Sequence, residues 1–370
     1  MTQSSSADAK RELVETQVLS TKRDIRSLVQ RMADHTIPGV SLALINDYQL
    51  EWAAGYGVRE NGRSEQIDSE TLFQACSISK AVTAVAVLRL VEQGRLELDE
   101  DVNAFLNSWK VTAQGKGQTP VTIRQLLSHT AGMSVAWFPG YHREQDIPTL
   151  LEILDGAQPS STPEIRVIET PGTHFHYSGG GYAVLQQLLI DTMKEPFPEL
   201  MRELILEPLE MRRSTYEQFH HAHISKTARG HRASGKPVAG GWYLYPELAA
   251  AGLWTTPSDL ARFALELQLA RGGRSQRLLS TSMIRELLTP QAKGDSRGDM
   301  GLGIFVQGTG SGARFGHPGD NAGFTSCWVS LQEDGRGCVL MTNSDKGWPL
   351  QEELLRTIEQ VYAWPELPSK

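Results

Sequence analysis

Thr71-Leu72-Phe73-Gln74-Ala75-Cys76 runs directly into Ser77-Ile78-Ser79-Lys80 and then AVTAVAVLRLVEQ (81–93). The first six residues read as a short strand. Residues 77–93 are apolar on nearly every face, the pattern of a buried central helix, and Gly94 supplies its stop. A lysine on such a helix needs a reason to be there. Ser77 and Lys80 are three apart, so on a helix they share a face with Cβ atoms about 5–6 Å apart. A serine hydroxyl is a weak nucleophile until a base takes its proton. A lysine serves as that base only as the free amine, the form that burial favours. The helix start adds free N–H groups and a positive dipole end, suited to a developing oxyanion. A serine three residues before a lysine is expected about once by chance in a chain of this length, so the tetrapeptide gains weight only from the strand and apolar helix around it.

Working outward, residues 1–9 are polar and read as a frayed end. Val14, Val18, Ile25, Leu28, Val29 and Met32 recur at helical spacing, which predicts one helix from Glu12 to Asp34. Pro38-Gly39 ends it. VSLALIND, a turn at Asn46-Asp47 and LEWAAGYGV then read as a β-hairpin. Residues 95–245 mix helical patterns (123–127, 182–193, 197–206) with Pro- and Gly-rich loops. After residue 245 a helix opens at Pro257-Ser258-Asp259. Three strand-like runs follow, GLGIFVQG, FTSCWVSL and GCVLMTNS, the last two joined by an Asp-Gly hairpin signal. An amphipathic helix through Leu350, Leu354, Leu355, Ile358 and Val361 closes the chain. These elements predict an α+β fold: one antiparallel sheet built from both ends of the chain, flanked by terminal helices, with a mostly helical lobe inserted. The expected boundaries are 10–76 with 245–365 for the α/β lobe and 77–244 for the helical one, with the active site at their interface.

The 370 residues are 40% hydrophobic and 21% charged, ordinary for a globular core, and the net charge of −7 argues against nucleic acid or an anionic membrane as partner. No apolar stretch reaches the length of a membrane span. MTQSSSADAKRELVETQ has no basic segment followed by an apolar run, so no secretory signal is expected. Three cysteines, Cys76, Cys327 and Cys338, fit free thiols in a reducing, cytoplasmic setting. His220, His221 and His223 lack a carboxylate or cysteine at metal spacing and read as a surface loop. No metal or cofactor is expected, and residues 307–312 lack the P-loop pattern.

Two further stretches hold chemistry-bearing residues. In His174-Phe175-His176-Tyr177-Ser178-Gly179-Gly180-Gly181-Tyr182, Tyr177 sits beside glycines that let backbone approach another group. It can relay a proton; the plainer reading is a tyrosine packed at a helix start. In Gly316-His317-Pro318-Gly319-Asp320-Asn321-Ala322-Gly323-Phe324, strand-edge backbone near a glycine can supply an oxyanion N–H. His317 can orient a substrate carbonyl or support Tyr177; the plainer reading is a tight turn with a surface histidine.

Ser-x-x-Lys, then Tyr-x-x about 100 residues on, then His-x-Gly near the C-terminus resembles the serine β-lactamase-like hydrolases. That group includes class C β-lactamases, D-Ala-D-Ala carboxypeptidases, D-aminopeptidases and family VIII carboxylesterases. LLSHTAG (126–132), PELAAAGLWTTPSDLARF (246–263), GLGIF and VLMTNSD extend the resemblance over most of the chain. It implies a β-lactamase/transpeptidase-like fold and an acyl-enzyme on Ser77, with Lys80 and Tyr177 sharing the acid and base work. His317-Pro318-Gly319 would line the strand beside the site, and the N–H groups of Ser77 and Asp320 would form the oxyanion hole. Trp137, Phe138, Trp242 and Tyr243 fall in loops that the family places near the entrance, where they can wall an acyl or alcohol group; packing between lobes is the plainer role.

One departure stands out. Penicillin-recognising members carry Tyr-x-Asn, whose Asn contacts the lysine and the ligand amide; here Gly179 stands at that place. This favours ester hydrolysis, so a carboxylesterase acting on small or medium esters is expected. The alternatives are a D-amino acid amidase or peptidase, an acyltransferase, a β-lactamase or penicillin-binding carboxypeptidase, and a sensor that acylates once and stalls.

Overall fold

A computed structural model describes residues 2–21, 24–112, 119–218 and 225–367. The chain opens with α1 (Thr2–Thr16), β1 (Val18–Thr21), β2 (Asp24–Arg26) and α2 (Leu28–Asp34). The single helix expected over Glu12–Asp34 is therefore two helices separated by an antiparallel ribbon, and helix begins at Thr2 instead of after a frayed stretch. The apolar spacing is shared by a different structure: Val18 is buried, while Ile25 is 51% exposed on its strand. Leu19 N–H donates to Thr357 Oγ1 at 2.9 Å, which ties the ribbon to the far end of the chain. Ser27 restarts the helix with a reciprocal cap, its hydroxyl accepting from Gln30 N–H and its own N–H donating to the Gln30 side chain.

β3 (Gly39–Asn46) and β4 (Gln49–Gly57) form the expected hairpin. Asn46 pairs with Gln49, so the turn is Asp47-Tyr48, one residue beyond the place expected. Both turn residues have positive φ (51° and 57°), as a two-residue turn matching the strand twist requires. Next come β5 (Phe73–Gln74), α3 (Ile78–Glu92), α4 (Ile123–Leu127), α5 (Leu150–Asp155), α6 (Gly179–Met193), α7 (Phe197–Met201), α8 (Leu248–Ala251), β6 (Trp254–Thr255), α9 (Pro257–Arg271) and α10 (Thr281–Leu288). The last part holds β7 (Ala292–Asp295), β8 (Gly298–Met300), β9 (Phe305–Gln307), β10 (Arg314–Asn321), β11 (Phe324–Leu331), β12 (Gly337–Thr342) and α11 (Gly347–Val361). Of the run GLGIFVQG only Phe305–Gln307 is strand.

Eight strands make one sheet in the order β4-β3-β12-β11-β10-β9-β8-β7, antiparallel at each junction. The N-terminal hairpin meets the C-terminal strands where β3 pairs with β12. Both faces of the central strands are buried. Val40, Leu42, Leu44, Cys338 and Leu340 face α11 and α2, with Leu350, Leu354 and Ile358 opposite. Ala43, Ile45, Val339 and Met341 belong to the larger core that contains α3, α6 and α9. The period of two thus sends alternate residues to two different cores. α3 is buried without a break from Ile78 to Leu88, and it packs against α8. Among the described residues no helix is long and apolar enough to cross a membrane.

Candidate active site

β5 ends at Gln74, and Cys76 then takes φ of +54°, a left-handed backbone that costs a non-glycine residue free energy. Neighbours hold it there. Ser326 Oγ donates to Ala75 O at 2.7 Å, Ser79 Oγ donates to Cys76 O at 2.6 Å, and Ala75 N–H donates to Leu253 O at 2.8 Å. Ser77 follows at the N-cap position of α3. A serine there ordinarily caps the helix with its hydroxyl, but the Ser77 side chain makes no cap bond. Its Oγ instead lies 3.1 Å from Lys80 Nζ.

Lys80 is 3% exposed and forms no ion pair among the described residues. Its Nζ also donates to Ala250 O of α8 at 2.8 Å. The rings of Tyr177 and Tyr182 lie 5.2 and 5.8 Å from the nitrogen. The packing of α8 on α3 therefore aims the lysine at the serine.

Tyr177 is half-buried just before α6. Its segment is hung on His129: His176 N–H donates to His129 O at 2.7 Å and Ser178 N–H to His129 Nδ1 at 3.1 Å. Ser178 Oγ caps α6 by accepting from Gly181 N–H. The Tyr177 ring lies 4.3 Å from that of His129 and 6.4 Å from that of His317, and the Arg297 guanidinium sits 4.5 Å over its face. Burial drives the His129 imidazole well below its ordinary range, with Lys80 adding to the effect. Burial and then Lys80 push His317 down to about 3. Both rings are neutral near pH 7, so neither adds positive charge beside Lys80.

The segment around His317 is not the tight turn with a surface histidine weighed from the sequence. It is β10, with His317 opposite Trp328 and Asp320 opposite Thr325, and His317 is 1% exposed. His317 lies beneath Tyr177 and does not border the cleft that holds Ser77. Gly319 is required by close approach: a Cβ there would lie 2.6 Å from Ala75 O and 2.8 Å from Cys76 Cβ. This contact lays β10 against the turn that carries Ser77 and puts Asp320 on the cleft wall. Trp348 Nε1–H donates to Asp320 Oδ2 at 3.2 Å.

The cleft encloses about 560 Å³ and is bordered by Ser77, Lys80, Trp137, Phe138, Tyr243 and Asp320, among others. Trp242, expected beside Tyr243 in that wall, is not part of it. It is 1% exposed, edge-on to Trp254 at 5.3 Å, with the Arg143 and Arg229 guanidinium groups 4.6 and 4.8 Å from its ring. Leu244 bridges Tyr141 in extended chain, so neighbouring side chains alternate, and Tyr243 faces the cleft while Trp242 turns into the core. Sequence reading did not single out His129, Arg297, Arg232, Tyr245 or Asn321. Asn321 Nδ2 donates to Gln74 Oε1 and Ala251 O, joining β10 to β5 and α8. Tyr245 Oη accepts from Ala322 N–H. Two of these stand in stretches the sequence marked, His129 inside LLSHTAG and Asn321 beside Asp320. His220, His221 and His223 lie outside the described residues. Cys76, Cys327 and Cys338 are free thiols.

The Beta-lactamase family model matches residues 25–363. Protein flp of Staphylococcus aureus (strain MW2) is 27% identical over 225 residues, covering 60% of this chain and 42% of that protein. The chain thus spans less than half the length of this relative. Among solved structures, the octameric penicillin-binding protein homologue from Pyrococcus abyssi superposes with a TM-score of 0.77 at 25% identity, covering 92% of this chain and 78% of its own. D-amino acid amidase from Ochrobactrum anthropi SV3, complexed with L-phenylalanine, gives 0.75 at 22% identity over 97% and 99%, a likeness of fold. With its β-lactamase/transpeptidase-like α+β fold, the chain belongs to the Beta-lactamase family.

Proposed function

We propose that this chain is a serine hydrolase that works through an acyl-enzyme on Ser77, and that its substrates are small or medium carboxylic esters. The observation that carries the reading is the 3.1 Å approach of Lys80 Nζ to a serine hydroxyl left free of helix capping. The proton leaves Oγ for the lysine amine or, through it, for Tyr177. Oγ then bonds to the carbonyl carbon, and the N–H groups of Ser77 and Asp320 receive the oxyanion. The C–O bond to the alcohol breaks as the alcohol takes the proton, and water later releases the acid by the same route. Lys80 and Tyr177 act as a coupled pair, one relaying what the other takes. On this reading the cleft lies on the seam between 77–244, which supplies Ser77 and Lys80, and the sheet-bearing 10–76 and 245–365, which supply Asp320.

The ester preference rests on the cleft wall. Trp137, Phe138 and Tyr243 line it with rings, and behind Phe138 Gly179 stands where the resemblance places an Asn that meets a ligand amide. The test is turnover of p-nitrophenyl butyrate, D-alanine p-nitroanilide and nitrocefin, each beside Ser77→Ala. The ester should be hydrolysed and the other two spared, and Ser77→Ala should lose at least about 10³-fold. Equal turnover by Ser77→Ala sinks the mechanism. A stoichiometric burst that stops identifies a sensor, and preferential anilide or nitrocefin turnover overturns the substrate class.

A further inference from the structure

Gly179 opens α6 with a backbone that other residues adopt freely, so conformation does not explain the glycine. Space does. A Cβ at 179 would lie 2.9 and 3.2 Å from Cε2 and Cδ2 of Phe138 and 3.2 Å from Ala136 O. The Phe138 ring already fills the volume that a side chain at 179 would enter. The loop that carries the ring is stitched to the helix start: Gly179 N–H donates to Ala136 O and Gly180 N–H to Val135 O, both at 2.9 Å, and Ser178 Oγ donates to Ser134 O at 2.7 Å. Trp137 turns out to solvent at 71% exposure, while Phe138 turns in at 7% and borders the cleft beside Ser77 and Lys80.

We propose that Phe138 is a specificity-determining residue: its ring takes the place of a side chain at 179 and makes that wall of the cleft unable to hydrogen-bond. An amide brings an N–H group that loses its water on entering. Against a ring it finds no acceptor, and an unpaired buried donor is costly. An ester carries no such donor and meets no penalty. The wall therefore discriminates by leaving a partner out. The inference rests on the serine-hydrolase reading and names the group behind its substrate preference.

The experiment compares Phe138→Ala, Gly179→Asn, Gly179→Ala and the Phe138→Ala/Gly179→Asn double variant with the wild type. The measured quantities are kcat/KM for p-nitrophenyl butyrate and butyryl p-nitroanilide, thermal melting, and labelling of Ser77 by a fluorophosphonate. Gly179→Asn alone should lose about tenfold or more of ester activity because its Cβ meets the ring, and Gly179→Ala should lose less. The double variant should recover much of that loss and raise the anilide-to-ester ratio about tenfold, the worth of one hydrogen bond regained. Phe138→Ala alone should raise the ratio of octanoate to butyrate hydrolysis. Wild-type activity and melting in Gly179→Asn would overturn the proposal, as would a double variant whose ratio stays within about twofold of wild type. If the wild type neither turns over the ester nor labels at Ser77, the hydrolase reading itself has failed. If it does both and the ratio is unmoved, only the role of Phe138 falls.

Discussion

Between α2 and α11, outside the sheet, Arg31 Nε donates to Glu353 Oε2 at 2.8 Å, a second guanidinium bond reaches Oε1, and His35 Nε2 lies 3.1 Å from Oε1. At the start of α8, Glu247 is fully buried, and neither carboxylate oxygen finds a partner on another residue. His129 and His317 also each leave Nε2 without a partner. The two carboxylates are treated in opposite ways. Burial works to raise Glu353, but the bonds from Arg31 and His35 outweigh it and hold the carboxyl below its usual range. Burial alone lifts Glu247 to about 8. Glu353 is held ionised by a network between two helices, whereas Glu247 is buried without one.

Three substitutions test that contrast. Lys80→Met removes the group facing Ser77 and should cut ester turnover by about 10³-fold or more. Melting should hold steady or rise, because a buried polar amine gives way to an apolar chain. Steady-state kinetics read beside a thermal melt decide it, and retained turnover with a lowered melt would move Lys80 to the structural side. Arg31→Met should do the reverse. It leaves Glu353 buried without its main partner, at a cost of about 3–5 kcal/mol, while kcat of the folded protein stays put; urea denaturation with activity assays measures both.

Glu247→Gln should have an effect that depends on pH and vanishes near the ordinary carboxyl value. The folded carboxyl holds its proton up to about 8, while the unfolded one releases it near the ordinary value of 4.5. Between those values the folded state binds more protons, so the wild type loses stability as pH rises through the window and levels off above it. Gln carries no such term. The variant should match the wild type near pH 4.5 and gain on it steadily as pH rises to 8.5. A gain that is flat with pH would show that Glu247 has a partner after all.

The hairpin β3–β4 and the helix α3 are legible in the sequence because each carries a single period throughout. β10 is not. Arg314-Phe315-Gly316-His317-Pro318-Gly319-Asp320-Asn321 has the composition of a turn, yet its glycines mark places where backbone touches backbone: a Cβ on Gly316 would lie 1.9 Å from Trp328 O. Close approach and tight turning select the same residue, and local sequence does not separate them. The ribbon at 18–26 hides behind helical spacing for the same reason, since its partner, Thr357, lies on the last helix. Ser77 and Lys80 are legible together because one helix face carries both. His129 acts beneath a tyrosine 48 positions further on, and the phase that sends Tyr243 outward and Trp242 inward is set by a bridge to Tyr141.

The pairing of β3 with β12 joins residue 40 to residue 342. A ribosome releases this chain from its N-terminus, so the hairpin emerges with one edge bare and keeps it bare through most of synthesis. Ser77 and Lys80 emerge well before the strand that presses on their turn, which is not made until residues 314–321. The nascent chain therefore carries both residues before their turn is braced, and through that interval its open edge is exposed to chaperones and to other chains.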